Sequence, residues 1–503
     1  MDAARDSGND PEADVKEITG LFGRKAGSLT MEKDGNDMTR SDLTVSAEEM
    51  ERQKEFTAEI RQMPGRPESF YVVTYGCQMN AHDSEKLSGM LQEMGMTEAE
   101  DREQADFVIF NTCCVRENAE RRALGNVTWL KEIRKRNPGL VIAVCGCMIQ
   151  EPGMAEKMLK QYKFINLAFG TSNLWKFPEL LYRTLNTDRN TVVVENEDVI
   201  PEGLPISRAR KEAAYITVMY GCNNYCSYCI VPYVRGRERS REPASILREA
   251  EELLRSGVQE IMLLGQNVNS YGKDLGGGMS FAGLLRELDA MGIPRIRFMT
   301  SHPKDLSDEL IETMGSCGHI LPQFHLPVQS GSDRMLKEMN RHYTRSQYLD
   351  RVRKLRAAVP GIGLSTDIIV GFPGETEEDF AATMKLVEQV RYDSAFTFIY
   401  SPRIGTAAAS MKDQVDPEVS SRRIQELIRL QEELQKETMG RFIGQEEEIL
   451  VEGLSKRSDA EISGKGRHGI SVTTSGTSDE IGKIVKCRIT GLKNNTLTAE
   501  RIR

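Results

Sequence analysis

The hydrophobic pattern of the chain first indicates an α/β region. Short apolar runs rich in β-branched and aromatic residues predict strands at 70–75, 107–110, 141–144 and 164–169. Between these runs apolar residues recur at helical spacing, as they do from Ser84 to Met94. Strands that alternate with helices form parallel sheets with helices on their faces. We therefore predict an N-terminal parallel-sheet α/β domain over residues 68–186.

The same alternation continues from residue 208 to residue 439. The predicted strands of this region are 214–220, 260–264, 295–299, 323–326, 363–370 and 395–400. Six strand–helix units are too few for a closed eight-stranded barrel, so we predict an incomplete (β/α)6 barrel. From residue 440, short strands separated by Gly, Ser, Asn and Asp turns replace the helices. This change predicts a small antiparallel β-barrel over residues 440–503.

Two segments carry little hydrophobic pattern. Residues 1–66 are short of aromatics and hold 15 Asp+Glu against 10 Lys+Arg, which predicts a disordered acidic tail in which only 48–63 is compatible with a helix. Residues 187–207 are rich in Asp, Asn and Glu and contain prolines, so we interpret them as a linker.

Charge and composition narrow the class of protein. The net charge is −9, but residues 1–66 contribute −5 of it, so basic patches elsewhere can still bind nucleic acid. Residues 441–503 hold 11 Lys+Arg against 9 Asp+Glu, a weak indication of RNA binding that a purely structural barrel explains nearly as well. No apolar run approaches the ~18 residues of a membrane span. We expect a cytoplasmic protein with no membrane partner.

A loop of three cysteines is the strongest chemical signal. Cys222, Cys226 and Cys229 form a C-x-x-x-C-x-x-C pattern at the end of the predicted strand 214–220. Structural zinc sites and electron-transfer 4Fe-4S clusters use four protein ligands, whereas three thiolates leave one metal position open for a small molecule. The pattern favours an iron–sulfur site that acts on a ligand. The alternatives are an incomplete zinc site and cysteines that only pack.

A second set of cysteines follows three strands of the N-terminal domain. Cys77, Cys113 and Cys147 each come just after a predicted strand. Because parallel strands end at one edge of a sheet, these thiols are expected to meet there and form a second three-thiol site. Cys114 and Cys145 lie beside them, and spacing alone leaves both open as ligands.

Other motifs give weaker candidates. Gly371 and Gly374 lie in a Gly-Phe-Pro-Gly-Glu turn whose backbone can approach a cofactor or simply start a helix. Gln266 ends a predicted strand, where its amide can bind a polar cofactor or cap the next helix. Arg235, Arg237, Arg239 and Arg241 alternate after the cysteine loop and suggest phosphate contacts. The sequence has no H-x-x-x-H, G-x-S-x-G or P-loop motif, which disfavours zinc hydrolases, serine hydrolases and P-loop NTPases.

Together these motifs resemble those of the radical S-adenosylmethionine methylthiotransferases. Three of the similar segments surround Cys77, Cys113 and Cys147: TYGCQMN (74–80), NTC (111–113) and GC (146–147). The others are the cysteine loop with its flanks (220–236), HLPVQSGS (325–332) and SPRIGT (401–406). It covers the chain from about residue 68, and the domain order, ending in a barrel of the TRAM type, is similar too. Gln329, within HLPVQSGS, is a further candidate cofactor contact.

The resemblance implies two 4Fe-4S clusters. Cys222, Cys226 and Cys229 would hold the cluster that reductively cleaves S-adenosylmethionine to a deoxyadenosyl radical, which would take hydrogen from C2 of an adenine. Cys77, Cys113 and Cys147 would hold the second cluster, which carries or donates sulfur, and a second S-adenosylmethionine would methylate that sulfur. The resemblance favours Cys113 and Cys147 over Cys114 and Cys145.

The Gln-Met-Asn that follows Cys77 resembles enzymes that act on N6-isopentenyladenosine beside the tRNA anticodon. The expected partners are a tRNA anticodon stem-loop, an external electron donor and a sulfur donor, and the protein is expected to be a monomer. One alternative is a methylthiotransferase acting on threonylcarbamoyl adenosine or on a ribosomal protein side chain. The other is a non-catalytic iron–sulfur RNA-binding protein.

Overall fold

The computed structural model describes residues 43–114, 117–187, 190–456 and 458–502. Its first helix, α1 (Ala47–Gln62), lies in the one part of the predicted tail, 48–63, that is compatible with a helix, so the disorder predicted for the tail does not extend to these residues. The helix is held by Ile60, which is fully buried, and by Gln53, whose amide nitrogen donates to the Glu179 carboxylate at 3.3 Å. The part of the tail before residue 43 lies outside the described residues.

The N-terminal domain is a six-stranded parallel sheet with the strand order β2-β1-β3-β4-β5-β6. Its strands are β1 (Ser69–Thr74), β2 (Thr97–Glu98), β3 (Phe107–Thr112), β4 (Val141–Gly146), β5 (Leu167–Phe169) and β6 (Thr191–Val193). Its helices are α2 (Gln78–Glu93), α3 (Glu117–Arg136), α4 (Met154–Gln161) and α5 (Phe177–Leu185). β3 is buried at every position, which explains its uninterrupted apolar run. β6 lies in the predicted linker and adds a sixth strand to this sheet.

The central domain contains six parallel strands in two three-stranded sheets, ordered β11-β10-β7 and β12-β13-β14. The strands are β7 (Ala213–Thr217), β10 (Glu260–Leu264), β11 (Arg295–Phe298), β12 (Gln323–His325), β13 (Gly363–Val370) and β14 (Ser394–Ile399). A parallel bridge between Ile296 and Ile320 joins the two sheets. A short antiparallel pair, β8 (Met219–Tyr220) and β9 (Arg239–Ser240), encloses the cysteine loop. The incomplete barrel is confirmed, and β7 and β14 are its free edges.

Helices surround this half-barrel, and one of them leads into the last domain. They are α6 (Val231–Arg235), α7 (Pro243–Arg255), α8 (Phe281–Ala290), α9 (Asp308–Ser316), α10 (Asp333–Glu338), α11 (Arg345–Ala358), α12 (Glu377–Val390) and α13 (Pro417–Gly440). None of the helices in the described ranges is long and apolar enough to cross a membrane.

The C-terminal domain is a closed five-stranded barrel with the strand order β15-β16-β17-β19-β18. Its strands are β15 (Glu446–Ser455), β16 (Ser458–Gly466), β17 (Ser471–Ser475), β18 (Ile484–Lys493) and β19 (Thr496–Arg501). Most neighbouring strands are antiparallel, but β17 and β19 are parallel. Two buried arginines of β11 fix this barrel to the central domain, because Arg295 and Arg297 each donate to the carbonyl oxygen of Gly466.

Candidate metal centres

The loop of Cys222, Cys226 and Cys229 follows β8 and is shaped by backbone contacts. Gly221 has φ +72°, and a Cβ there would collide with the backbone carbonyl oxygen of Arg237. The next amide, that of Cys222, donates to the carbonyl oxygen of Gly236 at 3.2 Å. Glycine is therefore required at 221 for its conformation and for the close approach of the two chain segments.

The opposite side of the loop is held by the residues that follow α10. The Asn340 amide donates to the carbonyl oxygens of Asn224 and Tyr225 at 3.2 and 2.9 Å. The Ser227 amide donates to the carbonyl oxygen of Met339 at 3.1 Å. These bonds fix Tyr225 in the left-handed region, at φ 45°, so the loop is rigid where it presents its thiols.

The three thiols of this loop share a low-dielectric environment. Burial raises the pKa of Cys222 and that of Cys229 to about 12. The thiols of Cys222 and Cys229 are therefore neutral unless a metal displaces their protons. Within the described ranges no three His, Cys, Asp or Glu side chains are already arranged about a common metal position, so the fit of a cluster has to be judged from the donor set and its surroundings.

The surroundings of Arg341 show whether an iron–sulfur cluster fits the loop. Arg341 is buried, and it donates to Cys226 Sγ at 3.4 Å, to the hydroxyls of Tyr228 and Tyr343, and to the carbonyl oxygen of Pro327. Among the residues that the structure describes, no carboxylate forms an ion pair with it. A buried cation without an anion is costly, and thiolates carrying an iron–sulfur cluster would provide the missing negative charge. The loop therefore fits such a cluster.

The second set of cysteines lies where three strands of the N-terminal sheet end, and its use as a three-thiol site stays a prediction. Cys77 caps α2, Cys113 follows β3 and Cys147 follows β4, all at the carboxyl edge of the sheet. Asn80 lies between Cys77 and Cys147, with its Oδ1 3.9 Å from Cys77 Sγ and 3.8 Å from Cys147 Sγ. The Asn80 amide nitrogen donates to the carbonyl oxygens of Tyr75 and Thr112, each at 2.9 Å, and so ties the ends of two strands together.

The two competing cysteines are distinguished by their surroundings. Cys145 packs among Phe107, Ile109 and Leu167 in the core on one side of the sheet, whereas Cys147 packs in the core on the other side. Cys114 lies close to Cys147. A hydrogen bond from the Cys114 thiol, aided by the guanidinium of Arg235, lowers the pKa of Cys147 to about 6 despite its burial.

The arginine run does not form the predicted phosphate-binding surface. Arg235, Arg239 and Arg241 are buried, and each pairs with carboxylates of the protein: Asp83, Asp198, and Glu202 with Glu249. Their positive charges are neutralised in ion pairs that fix the linker and the N-terminal domain to the half-barrel. Only Arg237 is exposed. The prediction that this run contacts phosphate is wrong for the three buried members.

Unpartnered polar atoms gather beyond the carboxyl ends of β10 and β11. Gln266 Oε1, Ser301 Oγ and His302 Nε2 are buried and have no hydrogen-bond partner. Buried polar atoms are normally paired, so this group fits a polar ligand such as S-adenosylmethionine. Gln329 follows β12 with φ 69° and is buried. Burial lowers the pKa of His302 far below its usual value, which keeps its ring neutral.

The Gly-Phe-Pro-Gly-Glu turn is packed against α13. A Cβ on Gly371 would collide with Ser420 Oγ, and the Gly374 amide donates to the carbonyl oxygen of Asp413 at 2.6 Å. Phe372, between the two glycines, packs in one small cluster with Tyr228 of the cysteine loop. The glycines thus have a packing role, and their contact with a cofactor stays a prediction.

A cavity of about 940 Å³ lies on the open side of the half-barrel. All three domains contribute to its wall, through Gln78 and Ser84 of α2, His325 and Phe396 of the half-barrel, and residues of the terminal barrel that include Lys465. The six cysteines do not line it, although Gln78 directly follows Cys77. The cavity adjoins the N-terminal thiols and is large enough for a nucleoside-sized group.

Sequence comparisons agree with the three domains. Residues 69–170 match Uncharacterized protein family UPF0004, residues 216–387 match the Radical SAM superfamily, and residues 440–502 match the TRAM domain. Among solved structures, TsrM from Kitasatospora setae, a radical S-adenosylmethionine methyltransferase with cobalamin and a [4Fe-4S] cluster bound, has a TM-score of 0.50 at 16% identity. The similarity covers 68% of this chain and 77% of that chain, and it concerns the fold alone.

The fold and the cysteine loop together define a radical S-adenosylmethionine enzyme that carries a TRAM domain. The tRNA-2-methylthio-N(6)-dimethylallyladenosine synthase of Acetivibrio thermocellus is 50% identical over 475 residues, which are 92% of this chain and 98% of that protein. The synthase of the same name from Clostridium botulinum strain Okra is 51% identical over 435 residues, 86% of this chain and 97% of that protein. The chain belongs to this family of tRNA-2-methylthio-N(6)-dimethylallyladenosine synthases, and the predicted family and fold are confirmed.

Proposed function

We propose that the protein inserts sulfur and a methyl group at C2 of N6-isopentenyladenosine beside the anticodon of tRNA, giving 2-methylthio-N6-isopentenyladenosine. The observation that carries this proposal is the presence of two sets of three cysteines in a chain about half identical to synthases of that name over nearly its whole length. C2 of adenine is an unactivated position that acid–base chemistry cannot address, so a radical cofactor is needed.

Each site has a distinct role in this proposal. A 4Fe-4S cluster held by Cys222, Cys226 and Cys229 would supply the electron that cleaves S-adenosylmethionine, and one held by Cys77, Cys113 and Cys147 would supply the sulfur. The unpartnered atoms of Gln266 and His302 orient the polar end of S-adenosylmethionine. Gln329, Gly371 and Gly374 remain the other candidate contacts to that cofactor.

The cavity on the open side of the half-barrel is the candidate position for the adenosine. His325 and Phe396 form an edge-to-face pair on its wall, with ring centroids 6.1 Å apart, and such rings can stack on a base. The terminal barrel contributes Lys465 to the same wall and is our candidate for the contact with the anticodon stem-loop. The protein would act as a monomer in the cytoplasm with an external electron donor and a sulfur donor.

Mass spectrometry of tRNA nucleosides tests the proposal. Deleting the gene should remove 2-methylthio-N6-isopentenyladenosine and leave N6-isopentenyladenosine in its place. A plasmid copy with Cys317→Ala, a cysteine outside both sites, should restore the product, whereas Cys222→Ala should not. Unchanged tRNA in the deletion strain would favour a protein or another nucleoside as substrate. Failure of the reconstituted protein to cleave S-adenosylmethionine would favour a non-catalytic RNA-binding protein.

A further inference from the structure

Arg235 connects the two thiol sites. It is buried, and its Nε donates to Cys147 Sγ at 3.3 Å. Its two terminal nitrogens donate to Asp83 Oδ2 at 2.9 Å and to Asn80 Oδ1 at 2.8 Å. The guanidinium thus contacts a cysteine of the N-terminal site although Arg235 itself belongs to the segment that follows the cysteine loop of the half-barrel.

The segment that carries Arg235 is anchored in the N-terminal domain. Ile230 and Val234 are buried in the same hydrophobic core as Val108 and Phe110 of β3. The Thr171 hydroxyl donates to the carbonyl oxygen of Val234 at 2.7 Å. Arg235 lies six residues after Cys229, so one short, packed piece of chain leads from one thiol site to the other. Its position toward Cys147 is therefore fixed by packing and not by the arginine alone.

The charges around Arg235 determine its effect on a cluster. Hydrogen bonds to sulfur and nearby charges are principal determinants of iron–sulfur reduction potentials. An arginine stays protonated, and its positive charge stabilises the reduced state, which carries one more electron. Asp83 lies on the far side of the same guanidinium and is also buried, so its negative charge opposes that effect.

We propose that Arg235 is a positioning residue that raises the reduction potential of the N-terminal cluster through its hydrogen bond to Cys147, and that Asp83 offsets this effect. The inference rests on the proposed cluster at Cys77, Cys113 and Cys147. A residue of the segment that follows the cysteine loop thereby controls the electron affinity of the sulfur-bearing site.

A redox titration followed by electron paramagnetic resonance tests this. The parent is the full chain with Cys222, Cys226 and Cys229 all changed to Ala, which leaves only the N-terminal cluster to take one electron from the titrant. In this parent, Arg235→Gln should shift the midpoint potential to more negative values, and Arg235→Lys should shift it less because the charge is kept. Asp83→Asn should shift it in the positive direction. Arg423→Gln, which removes a buried arginine that pairs with Glu375 and Glu377 of the half-barrel, is the control and should leave the potential unchanged.

The outcomes separate this inference from the proposed function. A parent that binds no iron and gives no signal would contradict the N-terminal cluster itself. The other contradicting outcome is a parent with a normal cluster whose midpoint potential does not change in Arg235→Gln and Asp83→Asn, or changes in the same direction in both. This result would overturn the role of Arg235 without contradicting the cluster. If Arg235→Gln fails to fold, the positive shift expected of Asp83→Asn still decides the matter.

Discussion

Replacing Gly221 by alanine probes how the cysteine loop is built. Alanine in the left-handed region costs roughly 1 kcal/mol. The added Cβ also meets the backbone carbonyl oxygen of Arg237, which cannot rotate away as a side chain can. The two segments must therefore separate, and the hydrogen bond from the Cys222 amide to Gly236 is lost at a further cost of about 1 kcal/mol. We expect a total destabilisation of at least about 2 kcal/mol, with its effect centred on Cys222, the first candidate ligand of the loop.

The matched control is Gly257→Ala. Gly257 has φ +87° but nothing within 4 Å of an added Cβ, so this change carries the conformational cost without the collision. The assays are iron content per chain and formation of 5′-deoxyadenosine from S-adenosylmethionine by the reconstituted protein. Gly221→Ala should lose the cleavage activity and the iron of one cluster, whereas Gly257→Ala should keep both. Equal behaviour of the two variants would refute the argument that close backbone approach shapes the loop.

Three further predictions follow from the burial of single residues. Cys113→Ala should lose the N-terminal cluster, measured as iron per chain, whereas Cys145→Ala should keep it because Cys145 faces another core. Arg295→Leu should destabilise the protein by about 1–3 kcal/mol in urea unfolding, because it removes one of the two arginines that pair with buried Glu260 and the donor to the Lys465 carbonyl, whereas loss of the exposed Arg488 pair should cost under about 1 kcal/mol. The His302 ring stays neutral in the folded protein, whereas in the unfolded chain it binds a proton below about pH 6.5. The free energy of unfolding should therefore fall by about 1.4 kcal/mol for each pH unit below that value. His302→Gln should remove this contribution to the pH dependence of stability, measured by thermal melts from pH 7.5 to 5.5.

The elements with strong hydrophobic patterns could be predicted from the sequence. β3 begins with the apolar run 107–110 and β13 ends with the apolar run 368–370, and the structure has both strands where the pattern placed them. β16 has no such pattern, because Ile462 is its one buried large apolar residue and the rest of the strand is Gly, Ser, Ala and charged residues. Its place is fixed by pairing with β15 and β17, a long-range effect that a local pattern does not contain.

In the candidate site, too, local features could be predicted from the sequence and long-range contacts could not. The six cysteines could be found because spacing within a loop and position after parallel strands are local features. The roles of Arg235 and Arg341 could not, since their partners lie far away in sequence: Asp83 is 152 positions from Arg235, and Cys226 is 115 from Arg341. A run of alternating arginines has the same pattern whether it faces solvent or buried carboxylates. Only the tertiary contacts distinguish the two.

The wall of the central cavity has a consequence for how the protein is made. Its residues extend from Val72 to Asn495, nearly the whole described chain. Domains generally fold in order as they leave the ribosome, so both thiol sites are complete in sequence long before the terminal barrel is synthesised. During this interval the growing chain has its thiols assembled beside an open half-barrel. The wall of the cavity is complete only when the terminal barrel has been made, and a chain that stops short of that barrel contains all six cysteines but lacks part of the wall.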